Sequence, residues 1–166
     1  MPEYLDELAD FICRCSLEDI PPEAIIRSKE VLADTIAVIG AGAQEEEVKS
    51  LIGQMTELNG AGPATVIGAG IRAETAKAAL INGTAGTFLE LDEGNQFARG
   101  HPAVHVVPAA LALAEARKFS GEKLLLALIL GYEIGARIGI ACKIRMSMHP
   151  HGSWGTVGSA LAVGKL

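Results

Sequence analysis

Two short stretches of the chain hold the side chains best suited to proton chemistry. The first is Glu90-Leu91-Asp92-Glu93, followed one loop later by His101-Pro102. Carboxylates and an imidazole brought to one pocket can divide proton abstraction and donation between them, and imidazole titrates near neutrality. The same spacing also fits a solvated acidic loop leading to a histidine at a helix entrance. The second stretch is Met148-His149-Pro150-His151-Gly152. Two histidines at i, i+2 could bind a metal, but four ligands would be needed and no cysteine is near, so no metal is expected. Gly152, Ser153, Gly155 and Thr156 then open an expected helix, and unpaired amides at a helix start attract carboxylates. His149, just before that start, could face an anionic substrate; on spacing alone a capped helix with surface histidines is the plainer reading.

Other conspicuous residues read more plainly. His105 lies among Val104, Val106 and Val107 and is expected to be packed or hydrogen-bonded rather than catalytic. Trp154 is expected in the core, and Arg137 is expected to pair with Glu133 one helical turn away. Gly68-Ala69-Gly70 lacks the third glycine of a dinucleotide-binding loop. There is no Walker sequence and no nucleophile elbow.

Helices must position these groups. The 166 residues are 49% apolar, 20% charged and only 4% aromatic, with 19 glycines. That mix suits helices packed closely through small residues and does not suit a β-sandwich, which favours β-branched and aromatic strands. The net charge of −6 argues against a nucleic-acid partner, which calls for clustered Lys and Arg. Cys13, Cys15 and Cys142 form no spaced pair, and the start of the chain lacks a basic leader region, so a reducing, cytoplasmic setting is expected. The apolar run Leu124 to Tyr132 is too short to span a bilayer and is broken by Glu133 and Arg137, so no membrane partner is expected.

Helical spacing is expected over residues 3–15, Glu23 to Ile39 (ended by Gly40-Ala41-Gly42) and Glu45 to Leu58 (ended by Asn59-Gly60). Ala64 to Ile67 is a brief strand or extended loop. Ala73 to Leu91 holds one or two helices, and a polar loop runs to Gly100. Pro102 to Lys118 and Glu122 to Cys142 are helices, the latter with Ser120 as its N-cap. A loop over Met146 to Gly152 precedes a last helix from Trp154. Gly131, Gly135 and Gly139 recur every four residues, as on a face that another helix approaches closely. Glycine otherwise costs a helix about 1 kcal/mol per site. No linker divides the chain, so residues 1–166 form one all-α bundle of six or seven helices. The stop at Gly164-Lys165-Leu166, inside a helical pattern, points to a longer ancestor or a truncated product.

Several stretches together resemble the MmgE/PrpD family, which includes 2-methylcitrate dehydratase, cis-aconitate decarboxylase and iminodisuccinate epimerase. They are Leu32-Ala33-Asp34-Thr35-Ile36, Ile81-Asn82-Gly83-Thr84-Ala85-Gly86, Leu89 to Glu93, His101-Pro102-Ala103, Val107 to Glu115, Gly131-Tyr132-Glu133-Ile134 and Met148 to Ala160. Their order and spacing agree across nearly the whole chain. The resemblance implies the N-terminal part of a helical domain and a cofactor-independent site for small di- or tricarboxylates. The reaction would begin with proton removal alpha to a carboxylate, dehydratase-like, or with the family's decarboxylation or epimerisation. It maps the acidic site residue to Glu90 or Asp92 and the site histidines to His101 and His149. Gly152 and Ser153 are then candidate substrate-binding residues. Asp92-Glu93-Gly94 stands where the family often has Asp-Asp-Thr, and Asn95 is the candidate to take the place of the threonine as a substrate contact. Family members continue past this length with a catalytic lysine and an α/β lid domain. A homodimer, or a partner chain supplying the remainder, is therefore expected; a non-catalytic helical module is the alternative.

Overall fold

The computed structural model describes residues 3–56, 61–145 and 147–166. Among these the chain forms seven α-helices and one small hairpin. They are α1 (Glu3–Arg14), α2 (Pro22–Gly42), α3 (Glu46–Thr56), β1 (Ala64–Val66), β2 (Ile71–Ala73), α4 (Thr75–Phe88), α5 (Pro102–Arg117), α6 (Gly121–Ala141) and α7 (Trp154–Lys165). The helical bundle expected from composition is therefore present. The expected end of α3 at Asn59-Gly60 lies outside the described residues.

Two elements differ from the sequence expectation. Helix α2 does not stop at Gly40 but runs through Gly42. Gly42 is there for contact rather than termination: a Cβ on it would lie 2.0 Å from the Ala85 carbonyl oxygen of α4. Second, Ile71–Ala73 is a strand, antiparallel to β1 with Ala64 opposite Ala73. The turn between them is the Gly68-Ala69-Gly70 segment, where Gly68 and Gly70 take φ of 79° and 67°, a region costly for residues with a side chain. The hairpin is tied to α4 by buried Asn82, whose Oδ1 accepts from the Ile67 amide at 2.9 Å and whose Nδ2 donates to the Thr65 carbonyl at 3.0 Å.

One apolar cluster gathers Ile39, Val48, Val66, Ile81 and Ala85 between α2, α3, α4 and the hairpin. A second gathers Val106, Val107, Ala110, Leu128 and Ala162 between α5, α6 and α7. The glycine stripe of α6 lies against α7: a Cβ on Gly131 would meet the Ala162 Cβ and the Gly158 carbonyl at 2.7 Å. At Gly139 a Cβ would come within 2.9 Å of the Trp154 ring. Trp154 is buried, as expected. Arg137 Nε donates to Glu133 at 2.6 Å, as expected. Ser120 caps α6 by accepting from the Lys123 amide.

Helix α6 is long and apolar enough to cross a membrane by length and composition, but half of its most apolar window is buried inside the bundle. Its buried part packs against α2, α5 and α7, while Ile140 stays exposed. Helix α1 is different. It buries none of its residues and leaves Tyr4, Leu5 and Phe11 exposed. It is fastened at its C-terminal end, where Lys165 Nζ donates to the carbonyls of Ile12, Cys13 and Cys15 at 2.8 to 3.1 Å.

Candidate active site

The acidic loop leaves α4 through Glu90, which takes a left-handed φ of 53°. The loop then closes on itself: the Asn95 amide donates to the Gly100 carbonyl at 2.8 Å. Glu93 ties it to the bundle, accepting from the Ala103 amide in the first turn of α5 at 3.3 Å and from the Tyr132 hydroxyl of α6 at 2.6 Å. Burial and the Glu93 carboxylate both push the Tyr132 phenol above its ordinary pKa. These ties place His101 at the entry to α5, and Pro102 after it starts the helix with a preset φ.

His101 Nδ1 faces three oxygens: the Asp92 carbonyl at 3.2 Å, the Glu93 carbonyl at 3.1 Å and Asp92 Oδ2 at 3.2 Å. Carbonyls only accept, so Nδ1 carries the hydrogen in the neutral ring and Nε2 keeps its lone pair. The Asp92 side chain is 3% exposed, and its Oδ2 meets His101 Nδ1 at 3.2 Å outside hydrogen-bond alignment, with no hydrogen bond of its own. The buried Asp92 carboxylate and the two carbonyls together hold the His101 ring in one orientation.

The second loop brings its histidines to the same place. Gly100 packs on Pro150 and Trp154, where a Cβ would come within 2.9 Å of Pro150 and 2.7 Å of the indole. Among these rings His151 is central. Its centroid stacks on His149 at 4.2 Å and on His101 at 5.9 Å, and meets His105 edge-on at 4.4 Å. All four histidines of the chain thus form one cluster. Glu90, His105, His149 and His151 line a hollow of about 540 Å³, floored by α4 and α5 at Gly83, Thr84, Thr87 and Pro108. Among the described residues, no three His, Cys, Asp or Glu side chains are placed to hold a metal ion.

The expected substrate-binding residues sit differently. Asn95 lines another cavity, of about 510 Å³, with Tyr132, Arg27 and Phe97. Its side chain is occupied there, accepting from the Phe97 and Ala98 amides at 3.0 Å and donating to the Tyr132 hydroxyl at 3.2 Å. The Ser153 hydroxyl donates to the His149 and Pro150 carbonyls, both at 3.1 Å. The Ser153 and Gly155 amides also turn inward to the Pro150 carbonyl. Gly152 is exposed with open space around it.

Sequence reasoning passed over two members of the cluster. His105 is partly buried and hydrogen-bonded to His151, in line with the expectation that it is packed or hydrogen-bonded, but it also lines the hollow. For His151 the spacing offers a metal pair with His149 or a surface histidine, and neither reading places it against His105. The available signal was proximity in sequence: His105 lies in the first turn of α5, four residues past His101 at its N-cap. Burial, with the neighbouring histidine charges adding to it, pushes His105 down to about 3. His151 is also lowered, first by burial and then by His149, against the opposing pull of Asp92.

Comparison with known proteins agrees with this architecture. A profile of the MmgE/PrpD N-terminal domain matches residues 6–166. Cis-aconitate decarboxylase of Aspergillus terreus is 30% identical over 169 residues, covering 96% of this chain and 34% of the relative. Cis-aconitate decarboxylase of Homo sapiens is 36% identical over 157 residues, covering 85% and 31%. Cis-aconitate decarboxylase of Mus musculus is 32% identical over 157 residues, covering 85% and 30%. The chain therefore spans about a third of the length of the curated relatives it matches. The chain belongs to the MmgE/PrpD family, as its N-terminal helical domain.

Proposed function

We propose that the histidine hollow binds a small di- or tricarboxylate and forms part of a lyase of the cis-aconitate decarboxylase type. The observation that carries this is the hollow lined by Glu90, His105, His149 and His151, with His101 stacked on His151 beside it and Asp92 buried behind His101. Loss of carbon dioxide leaves an electron pair on carbon that must take a proton, and dehydration needs a proton removed alpha to a carboxylate. An imidazole steadied by a buried carboxylate serves either end of such a transfer. The names of the relatives favour decarboxylation over the dehydratase chemistry that the resemblance first implied. No cofactor enters this scheme. The three cysteines are free, which suits a reducing, cytoplasmic setting. A partner, either a second copy or a chain supplying the remaining length, belongs to the same proposal and is supported by the exposed apolar side chains of α1.

The test is calorimetric titration of the purified chain with cis-aconitate and citrate, alongside carbon dioxide release from cis-aconitate. Binding is expected with the native chain. Where turnover occurs, His101→Gln should lower it by about 10²-fold or more, the usual worth of a positioned acid or base. Absence of both binding at millimolar ligand and release would leave a non-catalytic helical module as the better description.

A further inference from the structure

We propose that His151 is a substrate-contacting hydrogen-bond donor of this site, and that His105 is the positioning residue that fixes its tautomer. The substrate contact rests on the reading of the hollow as a polycarboxylate site; the tautomer assignment does not.

His105 and His151 share a hydrogen bond between His105 Nε2 and His151 Nδ1. One of the two nitrogens must carry the hydrogen, and the surroundings decide which. His105 Nδ1 is buried with no partner. If that atom held the hydrogen, a donor would be stranded away from water, at the full cost of its lost hydration. If it is the bare acceptor, His105 Nε2–H donates to His151 Nδ1. His151, when neutral, must then hold its own hydrogen on Nε2, the remaining donor of a ring that lines the hollow. The histidines of this pair stay neutral near pH 7, because burial lowers both. A neutral imidazole N–H can polarise a substrate oxygen without surrendering its proton.

The framing of His105 fits a fixed donor. Its ring lies against the backbone of Gly155, where a Cβ would come 2.1 Å from Nδ1, and edge-on to Trp154 with centroids 5.2 Å apart. Its own carbonyl accepts from Ser159 Oγ of α7. The ring is held by two helices, whereas His151 sits on a loop and takes its orientation from the ring beside it. Beside the hollow, the His101 ring stacks on His151 with centroids 5.9 Å apart, so a bare Nε2 on His101 neighbours the N–H of His151.

The experiment is long-range ¹H–¹⁵N correlation on the histidine-labelled full chain near neutral pH, without ligand. His105 and His151 are expected as Nε2–H tautomers and His101 as Nδ1–H. His105→Gln keeps an amide donor close to the position of Nε2 and should leave the His151 tautomer unchanged. His105→Leu removes the donor and should move His151 toward a tautomer mixture. With cis-aconitate as the probe, His105→Leu should bind about tenfold more weakly while His105→Gln binds nearly as the native chain does, in line with loss of one charge-assisted hydrogen bond. A hydrogen on His105 Nδ1 in the native chain, or an unmoved His151 tautomer in His105→Leu, would overturn the assignment. If His105→Leu does not fold, the native spectrum and His105→Gln still decide it. Correct tautomers with no cis-aconitate binding would overturn the substrate contact alone and leave the positioning of His151 by His105 standing.

Discussion

At the scale of single residues, the cluster combines imidazoles in unlike surroundings. His101 leans on a buried carboxylate, while His105 is enclosed by Gly155, Trp154 and His151. The second environment has a consequence for stability. The folded chain holds His105 down to about 3, against 6.5 for an ordinary histidine. Below 6.5 the unfolded chain takes up a proton here that the folded chain refuses, so the unfolded state gains as acid is added. Stability is full above 6.5 and declines as the pH falls toward about 3. Denaturant midpoints measured across that window should fall with acid in the native chain and fall less steeply in His105→Gln; parallel curves would contradict the burial of a neutral His105. The carboxylates and the His101 and His149 positions were legible in the sequence because they stand in short polar stretches. The packing and hydrogen bonding of His105 were legible from its valine neighbours; its place on the wall of the hollow was not, because that depends on how α4 and the His149–His151 loop come against α5.

At the scale of elements, the tightest seam is between α6 and α7. Gly131→Ala should destabilise by about 1–3 kcal/mol, the usual cost of overpacking, because the atoms it would strike include the Gly158 carbonyl, which cannot swing aside. Gly155→Ala should cost at least as much and also displace His105. Gly164→Ala, in the same helix with nothing within 4 Å, should instead stabilise by about 0.5–1 kcal/mol. Thermal melts of the three variants check this, and equal losses in all three would mean that the seam is looser than described. The four-residue glycine repeat announced this seam in advance. The hairpin was less legible: three-residue strands are too short to show alternation, and the Gly68 and Gly70 turn looks locally like a failed nucleotide loop.

At the scale of the whole molecule, the helical architecture followed from composition and periodicity, since small residues and scarce aromatics leave close helix packing as the way to fill a core. Partners were not legible in the same way. An unburied α1 with Tyr4, Leu5 and Phe11 exposed marks surface that association can cover. Light scattering on the purified chain should give a dimer, and Phe11→Glu should weaken it; a monomer at all concentrations would leave a different partner chain as the alternative. The most direct measurement remains an NMR titration of the full chain with cis-aconitate, following the ring protons of every histidine and of Tyr132. The expected result is saturable shifts at His101, His149 and His151 together, with Tyr132 and the Asn95 cavity unmoved. Shifts confined to the Tyr132 cavity, or none at millimolar ligand, would contradict the assignment of the histidine hollow as the carboxylate site.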